Sequence, residues 1–207
     1  LWLNIVNYIA HLHIAKVTDT SYAGNLLGDF PWLPNNEQQD LVTGWRLHQA
    51  VDTFVDAHPQ SLAFKSLPRK GRRRFAGIVQ DVVMDYWLVR SWGHFEQVSF
   101  ERFADTAVSA LREDKENCPQ RLQAMISSLE QRNWLSDLGT QQGVERALRS
   151  IQRRWTLGHY LEPFIQELPL LLEQSRKPFE ILYPDVLDYV QAMDFSEGVD
   201  HIKERPQ

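Results

Sequence analysis

The sequence predicts an all-α protein, a single-domain helical bundle, and two observations carry that prediction. Apolar residues recur at three- and four-residue spacing over most of the chain, and no segment keeps the strict alternation of a half-buried strand. The 207 residues are 43% hydrophobic and 24% charged, ordinary for one domain with a well-buried core. Seven Trp and ten Phe predict that this core is rich in aromatic rings.

Taken in order, residues 1–6 read as an extension and 7–195 as the domain, with 196–207 a frayed tail. The apolar start lacks a basic segment and a small-residue cleavage site, so no signal peptide is expected. Residues 23–36, AGNLLGDFPWLPNN, contain Gly and Pro at intervals and read as a loop joining two helices. Next, Val42, Trp45, Leu47, Val51, Phe54 and Val55 form a stripe at helical spacing. Asp40 is the expected N-cap, and Pro59 limits the helix to Ala57 or His58. A helix over 72–92 follows from Phe75, Ile78, Val79, Val82, Val83, Tyr86 and Leu88, with Gly93 ending it. Further helices fit 99–111, 119–132, 143–153 and one long stretch over 157–190.

Composition excludes several classes. The longest apolar runs, such as 165–172, are broken by Gln166, Glu167 and Pro169, far short of the roughly 20 residues of a membrane span. Cys118 is the single cysteine, which rules out an intramolecular disulfide or a thiolate metal cluster and favours a cytoplasmic location. A net charge of −5 gives no reason to expect nucleic acid. Positive charge is nevertheless concentrated: Lys65, Arg69, Lys70, Arg72, Arg73 and Arg74 fall in a stretch without an acidic residue. That cluster is either a solvated face or a docking surface for an acidic partner.

The chemistry is carried by His and Asp. His48, Asp52 and Asp56 are four residues apart and share one helix face, and Asp81 and Asp85 repeat the spacing on the next helix. His11 and His13 lie near the start, and Asp29 closes the Gly-containing segment. Asp52, Asp81 and Asp85 interrupt apolar neighbourhoods, where a carboxylate costs several kcal/mol unless paired or bound to a cation. Such spacing also arises from surface hydrogen bonds; a metal between two acid-bearing helices accounts for the whole set. Imidazole and carboxylate without thiolate suit Mn, Fe, Mg or Zn, and the excess of Asp favours Mn or Mg.

Four segments in order, NYIAHLHIA, GNLLGDF, GWRLHQAVDTFVDAHP and QDVVMDYWLVRSW, resemble the acyl carrier protein phosphodiesterase family. The similarity runs from about residue 7 to 192, through NWL at 133–135, Arg153, Arg154, Phe179, Tyr183 and Pro184. The resemblance implies an HD-like helical fold, a divergent branch of the HD-type metal phosphohydrolases. It implies hydrolysis of the phosphodiester joining 4'-phosphopantetheine to a serine of acyl carrier protein, within lipid metabolism, with Mn²⁺ expected and Mg²⁺ or Fe²⁺ possible. By position, Asp29 matches the family's Asp in GNLL-x-D-F. His48 and Asp52 match H-x-x-[IV]-D, with Asp56 in its continuation, and Asp81 and Asp85 match D-x-x-x-D-H-F-L. Two positions depart: Tyr86 stands where the family shows His, and Gln49 where Arg commonly follows His48.

On this basis His48, Asp52, Asp81 and Asp85 are expected to form the metal-binding core, completed by Asp29 and His11 or His13. His58 is the expected proton donor to the leaving serine oxygen. The acidic carrier would dock on the 65–74 cluster. Two other readings stay open: a hydrolase of a small phosphoester or nucleotide, and a non-catalytic carrier- or metal-binding homologue. A di-iron bundle is disfavoured because the chain has no E-x-x-H pair.

Overall fold

The structure, a computed structural model, describes residues 7–32, 35, 37–66 and 73–193, with only the backbone of Arg73 and Arg74. Among the described residues the regular structure is helical, joined by short turns, and no strand occurs. The helices are α1 (Tyr8–Thr18), α2 (Tyr22–Leu26), α3 (Gln39–Ala57), α4 (Pro59–Ser66) and α5 (Arg73–Arg90). They continue with α6 (Trp92–Phe95), α7 (Phe100–Glu113), α8 (Gln120–Gln131), α9 (Gln141–Arg154), α10 (Glu162–Gln166) and α11 (Leu168–Gln191). No described helix is long and apolar enough to cross a membrane.

Helix α1 lies at the centre. Its residues from Tyr8 to Ala15 are buried on every face, because α2, α5 and α11 pack around it. A helix apolar all round is stable only in such a position, and here it carries His11 and His13 into the interior. α1 has no cap of its own: Asn7 makes no side-chain cap bond. Asp85 of α5 supplies it, accepting from the backbone N–H groups of Ile9 (3.1 Å) and Ala10 (3.0 Å). Burial pushes the Asp85 carboxyl up, to about 8, while these N–H donors pull the other way.

Several boundaries differ from those read in the sequence. The segment expected as a loop over 23–36 begins as helix: Ser21 caps α2 by accepting from Gly24 N–H at 3.0 Å, and a 3-10 turn, Leu27–Asp29, follows. Gln38, not Asp40, occupies the N-cap position of α3 and makes no side-chain cap bond; Asp40 sits in the first turn, where its charge still suits the helix dipole. Pro59 ends α3 as expected and then begins α4, a helix the apolar pattern was too short to signal. α5 stops at Arg90, and Gly93 lies inside the short α6. The long stretch over 157–190 is divided into a 3-10 turn, α10 and α11. Pro163 and Pro169 sit in the first turns of α10 and α11, where the missing N–H has no intrahelical partner to lose. Residues 1–6 and the tail 196–207 lie outside the described residues.

Candidate functional site

The site forms where α1, α2 and α3 meet. α2 and α3 cross at two glycines: a Cβ on Gly44 would lie 2.8 Å from Gly24 Cα, and one on Gly24 only 2.8 Å from the Leu41 carbonyl. The two backbones therefore touch, and the Asn25 carbonyl comes within 2.7 Å of His48 Nδ1. A carbonyl only accepts, so Nδ1–H donates and the neutral ring keeps its lone pair on Nε2. Gly28 completes the seat: a Cβ there would fall 2.0 Å from His48 Cδ2 and 2.3 Å from Nε2.

His48 Nε2 faces Asp52 Oδ2 at 3.1 Å and Asp29 Oδ1 at 3.9 Å, is buried, and makes no hydrogen bond. The His11 ring stacks on His48 at 3.9 Å between centroids, with its Nε2 3.4 Å from Asp52 Oδ1. His11, His48 and Asp52 thus offer ligand atoms within 4.8 Å of one another. Asp52 is 52% exposed, so the group opens to solvent on its carboxylate side.

The electrostatics describe a site built for positive charge. Burial disfavours a charged His48, but Asp52, Asp29 and the Asn25 carbonyl outweigh it and raise the ring to about 9. Burial and the neighbouring His48 lower His11 to about 4. Burial opposes ionisation of Asp52, yet the two imidazoles hold its carboxyl well below the usual range. Burial, followed by the charges of Asp52, Asp29 and Asp56, raises Asp81 well above the usual range; Lys65 opposes this. A buried lone pair beside two carboxylates calls for a proton or a cation among them. Two imidazole nitrogens and a carboxylate, one ring oriented by a backbone carbonyl, fit a divalent metal ion.

Other predicted residues lie elsewhere. Asp85 spends its oxygens on the N-terminus of α1 and is outside the three-residue group. His13 points away, its Nε2 3.1 Å from Glu96 and its Nδ1 2.6 Å from the Tyr183 hydroxyl. His58 Nε2 lies 3.0 Å from Asp185, and its Nδ1 accepts from Gln60 N–H. Asp56 is exposed and binds Lys65 at 2.6 Å. Tyr86 packs edge-on against Trp87 and beneath Arg90. Arg69, Lys70 and Arg72, and the side chains of Arg73 and Arg74, lie outside the described residues. What the sequence did not reveal is the part played by Asn25 and Gly28: one contributes only its carbonyl, the other only the absence of a side chain. The paired glycines of GNLLG were the available signal.

Fold and site together define an all-helical protein with a His–Asp group suited to one divalent cation. The sequence profile of the acyl carrier protein phosphodiesterase family matches residues 6–186, and the chain belongs to that family. It is 29% identical over 198 residues to the acyl carrier protein phosphodiesterase of Photorhabdus laumondii, covering 92% of this chain and 98% of the relative. The enzyme of the same name from Enterobacter sp. is 29% identical over 195 residues, 90% of this chain and 97% of the relative. That of Serratia proteamaculans is 35% identical over 133 residues, 63% and 69% of the two chains. No solved structure matches.

Proposed function

We propose that this chain hydrolyses the phosphodiester joining 4'-phosphopantetheine to a serine of acyl carrier protein, using a divalent cation held by His11, His48 and Asp52. The observation that carries this reading is His48 Nε2, a buried ligand atom without a hydrogen bond, facing two carboxylates. Membership of the family over nearly the whole chain supports the substrate. Mn²⁺ is the proposed ion, with Mg²⁺ or Fe²⁺ as alternatives; the chemistry it supplies is neutralisation of phosphoryl charge and acidification of water.

The chain's own groups divide the remaining work. The Asn25 carbonyl fixes the His48 tautomer. Asp29, 3.9 Å from His48 Nε2 and only 10% exposed, is the proposed group that orients the attacking water and accepts its proton. Asp81, in the field of Asp52 and Asp29, is the proposed further ligand that ionises as positive charge arrives. Asp85 is a positioning residue, holding α1 and therefore His11. Lys65, with Arg69, Lys70, Arg72, Arg73 and Arg74 next along the chain, is the proposed docking surface for the acidic carrier. A carrier substrate and the bacterial relatives favour a cytoplasmic location.

Mass spectrometry of holo-carrier incubated with the protein and Mn²⁺ tests the reading. The expected result is conversion to the apo-carrier mass, abolished by a chelator and by His48→Ala with the helical circular dichroism retained. Holo-carrier left intact by the metal-loaded wild type overturns it.

A further inference from the structure

Away from the His–Asp group, a cavity of about 760 Å³ opens between α8 and α9. This is the size of small-molecule sites, which run from roughly 300 to 1,000 Å³. None of His11, His48, Asp52 and Asp29 lines it, so the proposed reaction makes no use of it. Its walls carry Arg121 and Arg132 from the two ends of α8 and Arg146 and Arg154 from α9, against the single carboxylate of Asp137. Four positive charges thus meet one negative, an excess of three in a chain whose net charge is −5. Arg132 and Arg146 share Asp137, at 2.5 and 3.3 Å. Arginines on the solvated faces of this protein pair with an acid one turn away, as Arg149 does with Glu145 and Arg176 with Glu180, both at 2.8 Å. Arg121 and Arg154 have no such partner among the described residues.

The floor is aromatic. Tyr8, Phe30, Trp134 and Trp155 line it, with Tyr8 edge-on to Trp134 at 5.9 Å and Trp155 tilted against Phe75 at 5.0 Å. Trp155 Nε1–H is buried without a hydrogen-bond partner, and a buried donor left unpaired calls for an acceptor. Charge and flat rings in one concave site ask for a ligand that has both.

We propose that this groove binds a nucleoside diphosphate, its base on the aromatic floor and its diphosphate on the arginines. The site is separate from the metal group and independent of the phosphodiester reaction. Guanidinium forks take phosphate oxygens in pairs, and a base stacks on an indole or phenyl face whatever its sequence of donors and acceptors. An excess of three positive charges matches a diphosphate. A fatty acid would cover the floor yet bring one negative charge, and inorganic phosphate would leave the rings bare.

The test is calorimetric titration of the full chain with ADP, adenosine, pyrophosphate and dodecanoate, in a chelator so that no metal at the His–Asp group takes part. ADP is expected to bind at least about tenfold more tightly than each of the others, which meet only part of the groove. Arg121→Gln and Arg154→Gln should each weaken ADP and pyrophosphate about tenfold, the loss of one charge-assisted contact. Trp134→Leu should weaken ADP about tenfold and leave pyrophosphate unchanged, which separates stacking from charge. His48→Ala should bind ADP as wild type does. Both arginines are exposed, so their variants should keep the wild-type thermal midpoint and decide the matter even if Trp134→Leu does not fold. ADP held no more tightly than pyrophosphate, or equally well by both arginine variants, overturns the proposal. Dodecanoate binding more tightly than ADP does the same, since the groove would then belong to an amphiphile. Binding lost in His48→Ala and kept in the arginine variants would move the nucleotide to the metal group and sink the groove.

Discussion

His48 shows how a functional ring is fixed by residues with little chemistry of their own. Its Nδ1 is held by a main-chain carbonyl, one face is covered by His11, and Gly28 leaves room for its edge. Gly28→Ala would place a methyl 2.0 Å from Cδ2, against a buried ring with nowhere to retreat. Overpacking of this kind costs about 1–3 kcal/mol, and displacement of Nε2 should weaken Mn²⁺ binding as well. Urea unfolding and calorimetric metal titration measure the two effects. Gly93→Ala is the control, since nothing lies within 4 Å of the added Cβ. Unchanged metal affinity in Gly28→Ala would mean that this seat does not fix the ring. The candidate residues His11, His48, Asp52 and Asp29 were legible in the sequence because charged and imidazole groups stand out against an apolar pattern. Gly28 and Asn25 were not legible in that role, since close approach and carbonyl direction are properties of a helix crossing rather than of a residue type.

At the scale of elements, α5 does for α1 what α1 cannot do for itself. Without Asp85 the first N–H groups of α1 would be buried and unpaired, at about 1–3 kcal/mol each. Asp85→Ala should therefore lower stability by about 2–5 kcal/mol, seen in urea unfolding of the metal-free protein. It should disturb metal binding only through movement of His11. A variant of normal stability that has lost metal affinity would return Asp85 to the ligand set. The i,i+4 spacing of Asp81 and Asp85 placed both on one face of α5, yet the shared face serves two tasks. Asp85 reaches the end of a neighbouring helix, and Asp81 lies in the field of the site's carboxylates. Periodicity reports the face and not the neighbour, which is why the helices of the fold could be read while the partner of each acid could not. The same limit explains α2: its five residues are too few for a period, and its evidence is a serine cap and a glycine crossing.

Across the whole molecule, the central helix is tied to both later parts of the chain through His13. The Tyr183 hydroxyl of α11 donates to His13 Nδ1, and His13 Nε2–H donates to Glu96 beyond α6, where Lys16 of α1 also binds. Burial lowers the His13 pKa, so the ring stays neutral and relays one hydrogen bond in each direction. Burial acts to raise Glu96, but Lys16 and His13 overcome it and hold the carboxyl below its ordinary value of 4.5. The sign follows from linkage: a depressed carboxylate contributes stability that is fully present above its unfolded pKa and lost as pH falls through the folded one. Thermal midpoints of wild type should therefore decline as pH falls below about 4.5, partly through this group. Glu96→Gln removes the titrating charge, so its midpoint should lie below that of wild type at neutral pH, with the two curves converging in acid. Added salt should narrow the neutral-pH difference only slightly, since Glu96 is 12% exposed and poorly reached by counterions. Parallel curves, with the same difference at every pH, would mean that Glu96 acts by packing rather than by charge.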